Sequence, residues 1–304
     1  MRNAAISNPR LPTFLQVRST ADRLQSFPSF AKTVFNNDII MPELPEVETV
    51  VRGLQQTIVG EIIVDLEVPW QKALEPDAAY DSLVGKTIQS VTRRAKFVLI
   101  NFDIGALVVH LRMTGKLTPV FPEKWITVIL HFESGNALYF QDMRKFGRML
   151  YTDDPDELLN HLGPEPLEDS FTSHIFHKML MSKQRIIKPL LLDQTFVVGL
   201  GNIYVDEALF QAGIHPESIA KAIPKKKTQL LYTAIRQILA ESIKAQGTTV
   251  LNFSHGDNQS GTYQAALQVY GRKTQACQIC RTPIEKIKLA QRGTHYCPKC
   301  QRKY

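Results

Sequence analysis

Apolar positions along the 304-residue chain change their spacing twice after residue 41, and each change marks a new kind of structure. Val47, Val50, Val51, Leu54 and Ile58 recur at three- and four-residue intervals. This predicts a helix over about 43–57 with one buried face, ended by Gly60. From there to about 151 the chain reads as short β-branched runs, "EIIVDLEV", "TIQSVTRR", "KFVLINF", "ALVVHLRM", "ITVILHF", "ALYFQDM" and "RMLYT", broken by Gly, Asn, Asp or Pro. The pattern predicts an antiparallel sandwich rather than alternating βαβ units. Beyond "DDPDELLNHLGPEP" helical spacing returns, over 171–181, 186–193, 203–212 and 224–245, with Pro224 suited to a first helical position. Residues 1–40 have no sustained periodicity, contain Pro9, Pro12 and Pro28, and are rich in Ser, Asn and Arg. They read as disordered or only locally helical.

The fold class expected is α+β. A β-sandwich domain with a leading helix (41–168) is followed by a helical domain (169–268) and a small terminal module (269–304), with a hinge near 164–171 and an extension over 1–40. No run reaches the ~18 apolar residues of a membrane span, so no membrane association is expected. The formal net charge of +7 is unevenly placed: residues 1–40 carry +3, residues 271–304 carry +8, and the middle is therefore −4. The basic tail is either a solvated surface or a footprint for phosphates.

All four cysteines, Cys277, Cys280, Cys297 and Cys300, fall in that tail as C-x2-C, sixteen residues, C-x2-C. Two disulfides or a redox pair are the competing readings. Nothing marks secretion, and a redox site needs only one C-x2-C, so the spacing is assigned to one zinc ion held tetrahedrally. Four thiolates leave no open position for a catalytic water, so the metal is structural. With so little apolar content nearby the module is expected to fold only around it.

The segments "MPELPEVE", "HLRMTG", "DMRKFGR", "VVGLGNIYVDEALF" and "QVYGRK", together with the four-cysteine tail, resemble the formamidopyrimidine-DNA glycosylases over almost all of 41–304. The resemblance implies a bifunctional enzyme of base excision repair that removes oxidised purines from double-stranded DNA and then cuts the strand, acting as a monomer in the cytoplasm. It also implies a helix-two-turns-helix motif in the second domain and Zn2+ as the one metal.

By this resemblance Pro42 is the nucleophile and Glu43 the general acid/base, Glu46 supports the site, and Lys96 contacts the lesion and its phosphate. Met113, Arg144 and Phe146 resemble the residues that fill the hole left by an extruded nucleotide, while Asn202 and Arg292, the latter at a hairpin tip, resemble phosphate contacts. Read without the resemblance, each has a plainer account: a helix-starting proline, a helix-dipole partner, a solvated lysine, a core methionine, a strand-edge phenylalanine, a surface arginine, a helix cap. The glycines of "VVGLGNIY" do not make a dinucleotide fingerprint, because Tyr204 stands at the third glycine position. Gly199 and Gly201 instead permit tight turns into a helix whose amino-terminal N–H groups face an anion well. The long polar, glycine-punctuated stretch over 247–263 reads as a functional or disordered loop, and the resemblance implies that it closes over the extruded base.

The chemistry implied for Pro42 carries a condition. A proline within a chain has its nitrogen lone pair delocalised into the carbonyl and cannot attack carbon. A proline at an amino terminus is a secondary amine that loses its proton near pH ~8. Either translation begins at Met41 and the methionine is trimmed, or processing ends there; a targeting peptide and an upstream stretch from too early a start codon both fit residues 1–40. Two other outcomes stay open: an enzyme of the endonuclease VIII type acting on oxidised pyrimidines, and a DNA-binding protein without catalysis if 1–40 are retained.

Overall fold

The computed structural model describes residues 41–75, 79–248 and 261–304. The expectations for 1–40, and for most of 247–263, fall outside the described residues. The described residues all belong to one compact unit.

The leading helix α1 spans Leu44–Thr57, and Val47, Val50, Val51 and Leu54 are its buried face. Two sheets follow. One orders β1 (Ile63–Glu67), β7 (Ile126–Phe132), β8 (Ala137–Asp142) and β6 (Gly115–Thr118). The other orders β2 (Leu74–Glu75), β9 (Arg148–Thr152), β5 (Ala106–His110), β4 (Phe97–Asn101) and β3 (Ser90–Arg94). Every pair is antiparallel except β2 with β9. Apolar residues of both sheets and of α1 make one shared core, so the sandwich is completed by a helix that a sheet pattern alone does not foretell.

Short elements escaped the sequence pattern: β2, β6, α2 (Ala79–Leu83) and α3 (Pro155–Leu159). Strand β5 also stops earlier than "ALVVHLRM" suggests, because Arg112 turns the chain with a left-handed φ of 56°.

The helices of the second half are α4 (Ser173–Met181), α5 (Ile187–Leu191), α6 (Asn202–Ala212) and α7 (Lys225–Lys244). Pro224 is the residue before α7 rather than its first, with ψ 147°. These helices enclose a second core built on Phe176, Leu190, Ile203, Tyr204, Leu209, Leu231 and Ile235. Leu44 belongs to that second core, whereas Val47 and the rest of the α1 face belong to the first. The first turn of α1 therefore sits in the seam between the two cores. A last hairpin, β10 (Glu285–Leu289) and β11 (Arg292–Tyr296), closes the chain. Among the described residues no helix is long and apolar enough to cross a membrane.

Candidate active site

The seam places the first turn of α1 against the start of α6. Pro42 is buried, and Glu43 behind it is the extended residue that opens α1. The backbone N–H of Glu43 donates to Glu46 Oε2 at 3.0 Å, one half of the reciprocal cap common at helix starts. The Glu43 carboxylate crosses the seam. It accepts from the N–H groups of Gly201 (2.6 Å), Ile203 (2.9 Å) and Tyr204 (3.4 Å). These are the donors at the start of α6 that no residue of α6 can satisfy. The anion well is real, and the anion in it is a side chain of the same protein.

The two glycines of "VVGLGN" make this approach feasible. At Gly201 a Cβ would stand 2.4 Å from Glu43 Cδ, and at Gly199, with φ +84°, it would stand 2.5 Å from Leu44 Cδ1. The Gly199 carbonyl accepts from Leu44 N–H at 3.0 Å. Gly201 has φ −129°, open to any residue, so a substitution there tests contact and not backbone freedom. Gly201→Ala should cost about 1–3 kcal/mol, read as a melting temperature lowered by several degrees, because the Glu43 carboxylate must leave its donors.

Burial pushes the Glu43 carboxyl up, from 4.5 to about 7; the charge of Glu46 adds to the rise, while Lys96 and the N–H groups of Ile203 and Gly201 oppose it. Lys96 lies at the β3–β4 turn, 8 % exposed, and donates from Nζ to the Leu200 carbonyl at 2.7 Å. Its pKa is lowered by burial and by Arg292, against the opposing pull of Glu43. The turn that presents Lys96 is clamped by Glu165, which accepts from Ala95 N–H (2.6 Å), Arg93 (2.8 Å) and Arg94 (3.0 Å). His110 is held neutral by burial and by the nearby cations Arg112 and Lys96. Its Nδ1 accepts from Arg112 N–H at 3.0 Å, so the ring proton is on Nε2.

Met113, Arg144 and Phe146 occupy two neighbouring loops of the sandwich, and one buried residue joins those loops. Asp142 accepts from Thr114 Oγ1, from Arg144 N–H at 3.1 Å and from Gly147 N–H at 2.6 Å. Phe146 is 38 % exposed and Met113 is 6 % exposed, and the Arg144 guanidinium lies over the Phe146 ring at 4.8 Å. Asp142, Glu165, Asp206 and Tyr204 were all missed as site-building residues. The available signal was a charged or hydroxylated residue inside an apolar run, as in "NIYVDEALF".

Arg292 opens β11 directly after the turn at Ala290 and Gln291, both left-handed (φ 46° and 62°). The hairpin is fastened to the helices through its backbone. Asn202 Nδ2 and Lys188 Nζ both donate to the Gly293 carbonyl, at 2.9 and 3.1 Å. Lys188 also pairs with Asp206 at 2.7 Å, both side chains fully buried, and Asp206 accepts from His295 N–H at 2.8 Å. Glu207 binds the approach to the module, accepting from three successive N–H groups at Gln268, Val269 and Tyr270 (2.8–2.9 Å). Asn202 Oδ1 is buried without a hydrogen-bond partner.

The four cysteine Sγ atoms lie within 4.8 Å of one another, with Cys280–Cys297 at 3.4 Å and Cys277–Cys300 at 3.9 Å. Four sulfurs around zinc at ~2.3 Å stand about 3.8 Å apart, so the donor set fits one Zn2+. The apolar support is small, Phe210, Val269 and Ile284 beside the cysteines.

The chain thus joins a β-sandwich, a helical domain that shares its seam, and a four-cysteine hairpin fastened to that domain. Three family models cover the chain accordingly: the formamidopyrimidine-DNA glycosylase N-terminal domain over 41–149, the formamidopyrimidine-DNA glycosylase H2TH domain over 162–254, and the zinc finger found in FPG and IleRS over 275–302. Formamidopyrimidine-DNA glycosylase of Bacillus licheniformis is 45 % identical over 277 residues, covering 86 % of this chain and 100 % of the relative. That of Protochlamydia amoebophila is 41 % identical over 278 residues with the same coverage. Among solved structures, a Lactococcus lactis FPG mutant in complex with Fapy-dG containing DNA superimposes with TM-score 0.81 at 38 % identity, covering 86 % of this chain and 100 % of that one. Lactococcus lactis Fpg with abasic-site DNA gives 0.80 at 39 % with equal coverage. The chain belongs to the formamidopyrimidine-DNA glycosylase family, enzymes that act on damaged DNA in repair.

Proposed function

We propose that the protein, when Pro42 bears a free amine, is a bifunctional glycosylase and AP lyase for oxidised purines, 8-oxoguanine and formamidopyrimidines. The observation carrying the reading is the buried Glu43 carboxyl directly behind Pro42, seated on the N–H groups of Gly201 and Ile203 and pushed up by burial to about 7. It is a proton carrier of the strength that neutral catalysis needs.

The neutral amine of Pro42 attacks C1′, the C1′–N bond to the base breaks, and the base departs with that electron pair and takes the proton shed by the newly alkylated Pro42 nitrogen, which restores the nitrogen lone pair. The C1′–O4′ bond then opens. Protonated Glu43 gives its proton to O4′ while the nitrogen lone pair forms the C=N bond. The resulting iminium has no N–H to lose, so it stays cationic and draws electrons from C2′. Loss of a C2′ proton expels the 3′ phosphate, and a second elimination expels the 5′ phosphate. Water returns the amine.

Lys96, Asn202 and Arg292 supply donors for the phosphates around the lesion, with Glu46 supporting the first turn. Phe146, Arg144 and Met113 fill the vacated stack; Phe146 is the exposed wedge, and Asp142 aligns both loops. The solved relatives hold Fapy-dG and abasic-site DNA, in line with this substrate class. The zinc ion holds the hairpin that carries Arg292 and enters no chemical step.

Matched duplexes carrying 8-oxoguanine or an oxidised pyrimidine test the reading. Faster excision of the purine with doubly eliminated ends is expected. Preference for the pyrimidine would assign the endonuclease VIII type, and binding without cleavage would leave a damaged-DNA-binding protein. Activity needs the neutral amine, with a pKa of ~8, together with protonated Glu43, with a pKa of about 7, so the pH profile should be a narrow bell peaking midway between the two, where only a small fraction of the protein holds both states. Glu43→Gln should slow excision by ~10²–10⁴ and remove the falling limb.

A further inference from the structure

Pro42 has no hydrogen-bonding side chain, so its place follows from the backbone behind it. That backbone is held at the Glu43 N–H by Glu46 Oε2 and at the Leu44 N–H by the Gly199 carbonyl. Glu46 is thus one of two anchors of the turn, and its other oxygen is fixed in turn. Oε1 accepts from the Tyr204 hydroxyl at 2.6 Å, from Thr248 N–H at 2.9 Å and from Thr248 Oγ1 at 3.0 Å. Tyr204 is fully buried in the first turn of α6. Its oxygen also meets Ser242 Oγ of α7 at 2.6 Å. Because the phenol proton goes to the carboxylate, the Ser242 hydroxyl is the donor in that second contact.

Three segments therefore meet on one carboxylate: the turn bearing Pro42, helix α6, and Thr248. Thr248 bridges to Thr262 and is the last described residue before 249–260. Nothing in the reaction scheme uses Tyr204. Its ring could serve packing alone, as Phe would, yet the hydroxyl is aimed at a residue that holds the reacting turn.

We propose that Tyr204 is a positioning residue for the amine: its hydroxyl, acting through Glu46, sets the place of Pro42 relative to α6 and to Thr248. The inference rests on the reading of Pro42 as nucleophile. Displacement of a reacting atom by about 1 Å costs on the order of 10²-fold in rate, so a modest slackening of this anchor is readable in kinetics without loss of fold.

The test is single-turnover borohydride trapping on 8-oxoguanine DNA by protein beginning at Pro42, one residue after the start of the match to the family's N-terminal domain. Tyr204→Phe should trap about tenfold more slowly at saturating DNA, the scale of one lost hydrogen bond to a charged group, with DNA affinity unchanged. Ser242→Ala, which keeps the ring and its proton, should act in the same direction but less. In a Glu46→Gln background Tyr204→Phe should add nothing, because the residue it acts through has already been changed. Trapping at the unmodified rate by both Tyr204→Phe and Ser242→Ala, or an undiminished extra loss in the Glu46→Gln background, would overturn the proposal. A parent protein that forms no adduct would instead sink the function reading beneath it.

Discussion

A preparation shown by intact mass to retain all 304 residues will form no borohydride-trapped adduct with 8-oxoguanine DNA, whereas the same chain beginning at Pro42 will form one readily. The expected ratio of excision rates is ~10⁴ or more, the scale of losing a nucleophile. The reason is electronic before it is steric. With Met41 attached, the Pro42 nitrogen is an amide whose lone pair is shared with a carbonyl. Released, it is an amine of which about a quarter is neutral at pH ~7.5. The family model begins at Met41, and relatives aligned over their whole length cover only 86 % of this chain, consistent with a working enzyme that starts at this proline. The two forms should fold alike, since the leading helix, both sheets and the helical core lie after residue 41. Equal melting transitions with unequal trapping would separate chemistry from folding.

Stripping the zinc should bring the second large loss. The terminal module has few apolar side chains to hold it together, and structural zinc supplies roughly 10–16 kcal/mol in comparable modules. Chelation, or Cys297→Ser, should unfold the β10–β11 hairpin and with it displace Arg292 and the Gly293 carbonyl that accepts from Asn202 and Lys188. Binding to lesion DNA should weaken by ~10²-fold or more, with a shallower dependence on salt as phosphate contacts are lost. The sandwich should melt as before. Metal analysis should return one zinc per chain, and binding at full strength by zinc-free protein would contradict the assignment.

Much of this architecture is legible in the residue order, for reasons that can be named. Helix α1 declares itself because Val47, Val50, Val51 and Leu54 share a face that the sandwich core needs. The C-x2-C pairs declare zinc because few other uses fit that spacing. Strand β6, "GKLT", and strand β2, two residues long, are too short and mixed to show a period of two. The start of α6 was legible as an anion well, but its occupant was not. Glu43 lies 158 residues from Gly201 in sequence, and no local pattern links a carboxylate to donors so distant. Glu165 and Tyr204 were hidden for the same reason, their partners lying 70 or more and 158 residues away, whereas Asp142 ties together two loops of the sandwich itself.

The whole account depends on which nitrogen bonds to the sugar, and Lys96, buried with a lowered pKa, is the competing amine because burial is the usual way to arm a lysine. Digestion of the trapped adduct and mass mapping of the DNA-bearing peptide decides between them. The remnant should sit on the peptide whose first residue is Pro42; a remnant on Lys96 or any other lysine would contradict the mechanism.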